Sequence, residues 1–230
     1  MRRFLAALTS ALGLLATAAP ETKMADPKTI FFSLPTINDA LPATDTTAKP
    51  REKDLVIHED DWRQFEAVSL SCDAEMKEEI AGVQRIFKEK SKPSGEYRIF
   101  SEIHVRKRIV RPLPTPLAWV ELLSAAGVQA SAVSGVGLRD GQGMVRDGFS
   151  FHVGQLTVFG IRHGGSVEIL CFDLTRTPSL SEEEAQRFAA FLEKSGVVFV
   201  HWPSATVFTE KQVMVDLLKQ KKRVQQDVSP

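Results

Sequence analysis

Apolar residues recur along this chain with two different periods. Ala185, Phe188, Ala189 and Leu192 repeat at helical spacing, as do Met76, Ile80, Val83 and Phe87. Each set predicts one helix with a single buried stripe. Ser181 with Glu184 forms a capping box before the first set, and Gly196 ends it. Asp73 can cap the other helix. Its acids Glu75, Glu78 and Glu79 and its bases Lys88, Lys90 and Lys92 suit the two ends of the macrodipole, and Pro93 and Gly95 stop it. Thr115-Pro116 opens a third helix with proline at the first position. Leu117, Trp119, Val120, Leu122 and Leu123 surround it, so deep burial is expected, and Gly127 closes it. Thr209 with Gln212 reads as a second capping box, stapled by Phe208 and Val213. Val213, Met214, Leu217 and Leu218 should then face inward.

Between these helices the pattern is that of strands. Tyr97–Val110, Val128–Leu138 and Val197–His201 read as extended, and Asp140-Gly141 is a hairpin signal. Leu55–Ile57 is a short apolar run, Asp60, Asp61, Trp62 and Phe65 suggest a helical turn, and Phe65–Leu70, which also alternates as a strand would, stays open. Phe149–His163 and Ser166–Thr175 form a long hairpin around Gly164-Gly165. Its second arm is apolar on both faces, which predicts a central strand covered on both sides. Strands and helices mingle without strict alternation. The expected fold class is α+β: a single domain with a mixed or largely antiparallel sheet, a clear β-hairpin and about four packed helices.

The N-terminus differs from all of this. Arg2 and Arg3 precede an apolar run from Phe4 to Leu15, and Ala16-Thr17-Ala18 fits a cleavage site. Residues 1–18 therefore read as a signal peptide, too short for a membrane span, and the protein is expected to be exported, periplasmic or secreted. A mitochondrial presequence, or a cytoplasmic protein starting at Met24, are the alternatives. Residues 19–53 form a proline- and threonine-rich linker, expected to contribute little to a core. The globular domain spans 54–222, and residues 223–230 fray.

Composition sharpens the functional reading. Lysine plus arginine number 29 and aspartate plus glutamate 29, so the formal charge is zero and dedicated nucleic-acid binding is disfavoured. The glycines at 135, 137, 141 and 143 do not make a phosphate-binding loop, because position 140 is aspartate. Cys72 and Cys171 lie far apart and read as two separate thiols. His58, His104, His152, His163 and His201 form no local metal motif, so no metal site and no cofactor are expected. In an extended strand His104, Arg106 and Arg108 would share one face, available to an anionic partner. Lys219, Lys221, Lys222 and Arg223 form a second basic group at a helix end. His201-Trp202 follows an apolar strand at a place where site residues often lie. These five, His104, Arg106, Arg108, His201 and Trp202, are the candidate binding residues. Cys171 with His152, His163 and Asp173 is the most tempting catalytic set. A straight two-residue hairpin would place Val158 opposite Cys171 and keep both histidines away from it. The leading functional reading is a non-enzymatic exported domain that binds a protein partner or a cell-envelope component. The alternatives are a small hydrolase or transferase whose site assembles only in the fold, and, from a Met24 start, a cytoplasmic adaptor or immunity-type protein.

Overall fold

The computed structural model describes residues 30–107, 117–173 and 180–219. Residues 1–18, expected to be a signal peptide, Arg108, Thr115-Pro116 and the basic residues from 221 onward lie outside them. The proline-rich segment contributes two short strands, β1 (Thr36–Asn38) and β2 (Thr44–Asp45). Strands β3 (Leu55–Ile57) and β4 (Phe65–Ser69) precede helix α1 (Asp73–Lys90). A hairpin of β5 (Ser91–Ser94) and β6 (Tyr97–Phe100) leads to β7 (His104–Arg106). Strand β8 (Leu117–Ala118) runs straight into α2 (Trp119–Ala126). Then come β9 (Val136–Leu138), β10 (Gly143–Val145), β11 (Gly148–Val153), β12 (Leu156–His163) and β13 (Ser166–Asp173). Helix α3 (Glu182–Lys194), β14 (Val197–His201), β15 (Thr206–Phe208) and α4 (Lys211–Lys219) follow. The fold is α+β, with four α-helices among the described residues and mostly antiparallel sheets.

The main sheet has the order β11-β12-β13-β4-β14-β15, with β8 pairing beside β4 on the edge of β13. Because β4, β13 and β14 sit in its middle, their residues are buried on both faces. One face carries a large hydrocarbon core. Phe65, Phe172 and Phe199 meet there at ring distances of 4.7–5.3 Å and pack with helices α2, α3 and α4. The other face is divided. Trp62, Phe159 and Cys171 pack with β3 and β9, whereas Val68, Val200 and Trp202 pack with Cys72 and Met76 at the start of α1. From Phe31 onward the described residues form one compact unit.

Several local expectations need correction. The long first hairpin arm is two strands, β11 and β12, folded back at a turn where Gly154 has φ +57°. His163 does pair with Ser166, but a bulge at Glu168 shifts the register by one, so Phe159 lies opposite Cys171. Gly160 sits in this region and touches the Ile169 carbonyl so closely that a Cβ would overlap it. Helix α2 starts at Trp119 because Leu117 and Ala118 are held as a strand against β13. It is not surrounded: Trp119 is partly buried and Val120 is 75% exposed. In α4 the buried residues are Met214, Val215, Leu217 and Leu218, with Val213 outside. The Gln212 side chain reaches forward to Asp216 (2.9 Å), and no box with Thr209 forms. The Asp140-Gly141 turn, by contrast, closes β9 onto β10 with both residues at positive φ, as a tight hairpin requires.

Candidate functional site

The candidate residues lead to a charged cluster inside the divided face. Strand β4 is short and buried, and its alternation places Glu66 on that face between Cys171 and Val200. A carboxylate removed from water needs charged or hydrogen-bonding partners. Arg63 Nε donates to one Glu66 oxygen at 2.6 Å, and Trp202 Nε1 donates to the other at 2.8 Å. Arg106, 2% exposed, lies with its guanidinium 4.8 Å from the Trp202 ring centre. It donates to the Arg63 carbonyl (2.8 Å), the Gln64 side-chain oxygen (3.2 Å) and Thr36 Oγ1 (3.3 Å). Burial pulls the Arg106 guanidinium down to about 10, which leaves it charged at neutral pH. Among the described residues no buried side-chain nitrogen or oxygen lacks a partner.

Two of the five sequence candidates, Arg106 and Trp202, therefore meet, but as buried neighbours and not on an open strand face. The others separate from them. His104 Nε2 lies 2.6 Å from Glu79 Oε2, and its ring rests on Gly82 of α1, where any side chain would collide with it. Glu79 is itself buried, and its second oxygen accepts from the Lys107 backbone at 3.1 Å. His201 points to the opposite, aromatic face. Its ring meets Phe65 edge-on at 5.8 Å, and its Nδ1 lies 2.7 Å from Ser204 Oγ. Burial lowers its pKa to about 4, so the imidazole is neutral at pH 7. Arg108 lies outside the described residues.

Cys171 is fully buried beside Glu66, and both surroundings raise its pKa, burial first and the carboxylate second. It is a free thiol, as is buried Cys72. The turn at Gly154 brings His152 into one cross-strand row with Thr157 and Asp173, and His152 Nδ1 lies 3.1 Å from Thr157 Oγ1. No group of three or more potential metal ligands occurs among the described residues.

Sequence reading missed Glu66, Arg63 and Thr36. Glu66 carried the one available signal: a carboxylate inside the apolar run 65–68. Arg63 and Thr36 gave none, because the arginine that bonds to both, Arg106, lies 43 and 70 residues further along the chain.

Two surface features complete the picture. The first is a cleft of about 220 Å³ beside Trp62 and Arg63, with Leu41 and Ala43 on one side and Ile161 and Ile169 among its other walls. At its rim His163 stands between two carboxylates, with Nδ1 3.3 Å from Asp147 and Nε2 3.5 Å from Glu168. The second is the β5–β6 hairpin. Lys92 pairs with Ile99 and Ser94 with Tyr97, so Lys92, Ile99 and Tyr97 share a face. Phe31 joins that face under the Lys92 ammonium, 3.7 Å from its ring centre. Phe32 pairs with Phe100 through two 2.9 Å backbone bonds, while Phe100 packs inward on Phe87. Phe31 is 41% and Tyr97 74% exposed. No helix among the described residues is long and apolar enough to cross a membrane. No family model matches the chain, and no curated protein or solved structure is similar to it.

Proposed function

We propose that this protein is a non-enzymatic binding domain, exported by its N-terminal segment, that engages a protein partner through the outer face of the β5–β6 hairpin. The exposed aromatic pair on that face carries the reading. Tyrosine and phenylalanine offer large contact areas at low conformational cost and are enriched at protein interfaces. Phe31 and Tyr97 flank Ile99 on a face turned away from the core contact that Phe100 makes with Phe87. Pro93 and Lys92 on β5 discourage indiscriminate strand addition at that edge, so a specific side-chain interface fits better than edge-to-edge pairing. The arginine-rich start, apolar run and Ala16-Thr17-Ala18 site support export.

A photoreactive residue placed at position 97 of the full chain, expressed in its native cells, tests the interface. A discrete cross-linked adduct is expected from position 97 and none from position 120, which is equally exposed on α2. Adding Phe31→Ser should remove it. Absence of the adduct, or an equal adduct from position 120, would count against the reading.

A further inference from the structure

We propose that the cleft beside Trp62 binds a small organic acid, its carboxylate held end-on by the Nη edge of Arg63. Arg63 Nε is committed to Glu66, yet neither Nη nitrogen donates to any acceptor among the described residues. No buried side-chain nitrogen among those residues is left without a partner. Both Nη groups must therefore reach the protein surface, although the residue as a whole is 5% exposed. The surface Arg63 lines is the cleft. A planar guanidinium fixed by Glu66 at one edge presents the other as a preorganised fork, which matches the two oxygens of a carboxylate.

The backbone points the same way. Arg63 has φ +58° and Asp147, on the cleft wall, has φ +56°; these are two of the four non-glycine residues at positive φ among the described residues. Such conformations cost free energy and gather at ligand sites. The walls select the rest of the ligand. Trp62, Leu41, Ile161 and Ile169 suit an apolar body, and about 220 Å³ falls below the range typical of drug-sized ligands. The rim disfavours a dianion such as phosphate, because its two carboxylates, Asp147 and Glu168, each against His163, outnumber its one arginine, Arg146. A monoanion with a compact apolar group fits both depth and rim.

Phenylacetate is a suitable probe for the full-length protein, titrated by ligand-observed NMR with phenylacetamide and phenyl phosphate as comparisons. Saturable binding of order millimolar is expected for phenylacetate, and at least about tenfold weaker binding for the amide, which lacks the charge. Arg63→Lys keeps a cation but loses the fork, and should also weaken binding at least about tenfold. Because Arg63 supports the buried cluster, Ala43→Trp supplies a second test: it fills the cleft from an exposed rim position and leaves both partners of the Arg63–Glu66 pair unsubstituted. That variant should lose binding while melting like the parent. No saturable phenylacetate binding, equal affinity for the amide, tighter binding of phenyl phosphate or retained affinity in Ala43→Trp would each overturn the proposal.

Discussion

The two faces of β4 are built on opposite principles. On one side Phe65 meets Phe172, Phe199 and the helical layer, and stability there rests on area removed from water. On the other side, one residue along the same strand, Glu66 joins Arg63, Trp202 and, through Arg63, Arg106 in a network whose members depend on one another. An apolar face loses stability in proportion to the volume deleted. A buried ionic network fails when any one charge is left alone. Only the second kind of interior can also present a polar group to a ligand, which is what Arg63 does at the cleft.

The largest effect should come from breaking the network. Glu66→Ala leaves the buried Arg63 cation unpaired and should cost about 3–5 kcal/mol in urea unfolding. The isosteric Glu66→Gln should still cost more than Leu170→Met, a volume-conserving swap in the apolar core held to about 1.5 kcal/mol or less. The reverse order would erase the contrast between the faces.

Trp119 probes the edge of the apolar face. It touches Phe149 at 4.8 Å and lies under Arg162, but it is only partly buried. Trp119→Ala should cost about 2 kcal/mol, below the 3–5 kcal/mol of a fully enclosed large aromatic. A loss in the full range would mean that α2 is more enclosed than the structure has it.

The effect that is smallest at neutral pH concerns the one histidine on the aromatic face. His201 stays neutral in the folded chain down to about pH 4, whereas in the unfolded chain it titrates near the ordinary value of 6.5. Between these values the unfolded state binds the extra proton. The contribution of His201 is therefore complete above about pH 6.5 and declines as the pH falls towards about 4. Melting temperatures across this range should fall less steeply for His201→Gln than for the parent. Parallel curves would show that the ring is solvated.

Much of this architecture was legible from local chemistry. The Ser181–Glu184 capping box and the Ala185-Phe188-Ala189-Leu192 stripe place α3 without reference to anything distant, because a helix start and a 3.6-residue period are short-range properties. The same holds for β14 and for the αL glycine after α2. Helix α4 marks where such reasoning ends. At ~100° per residue Val213 and Val215 flank the Met214-Leu217-Leu218 stripe almost symmetrically, so only packing against α3 could choose between them.

The candidate site was less legible, for a related reason. Alternation in a strand says which residues share a face, not what covers that face. His104 and Arg106 do alternate with Val105 as expected, yet α1 and the proline-rich arm close over them and turn a presumed open strand into interior. The 19–53 segment looked dispensable because proline denies regular structure, but Thr36 is fully buried and parallel strand β1 lies against β7. The bulge at Glu168 likewise has no local signature and reverses which residues oppose Cys171. By itself, then, the sequence determined the cap and stripe of α3, the Asp140-Gly141 turn, the glycine after α2 and the apolar central strand, each set by neighbours within a few positions. Tertiary structure alone decided which charges would be buried together and where Arg63 would reach the surface, because those outcomes depend on contacts between residues as far apart as Glu66 and Trp202.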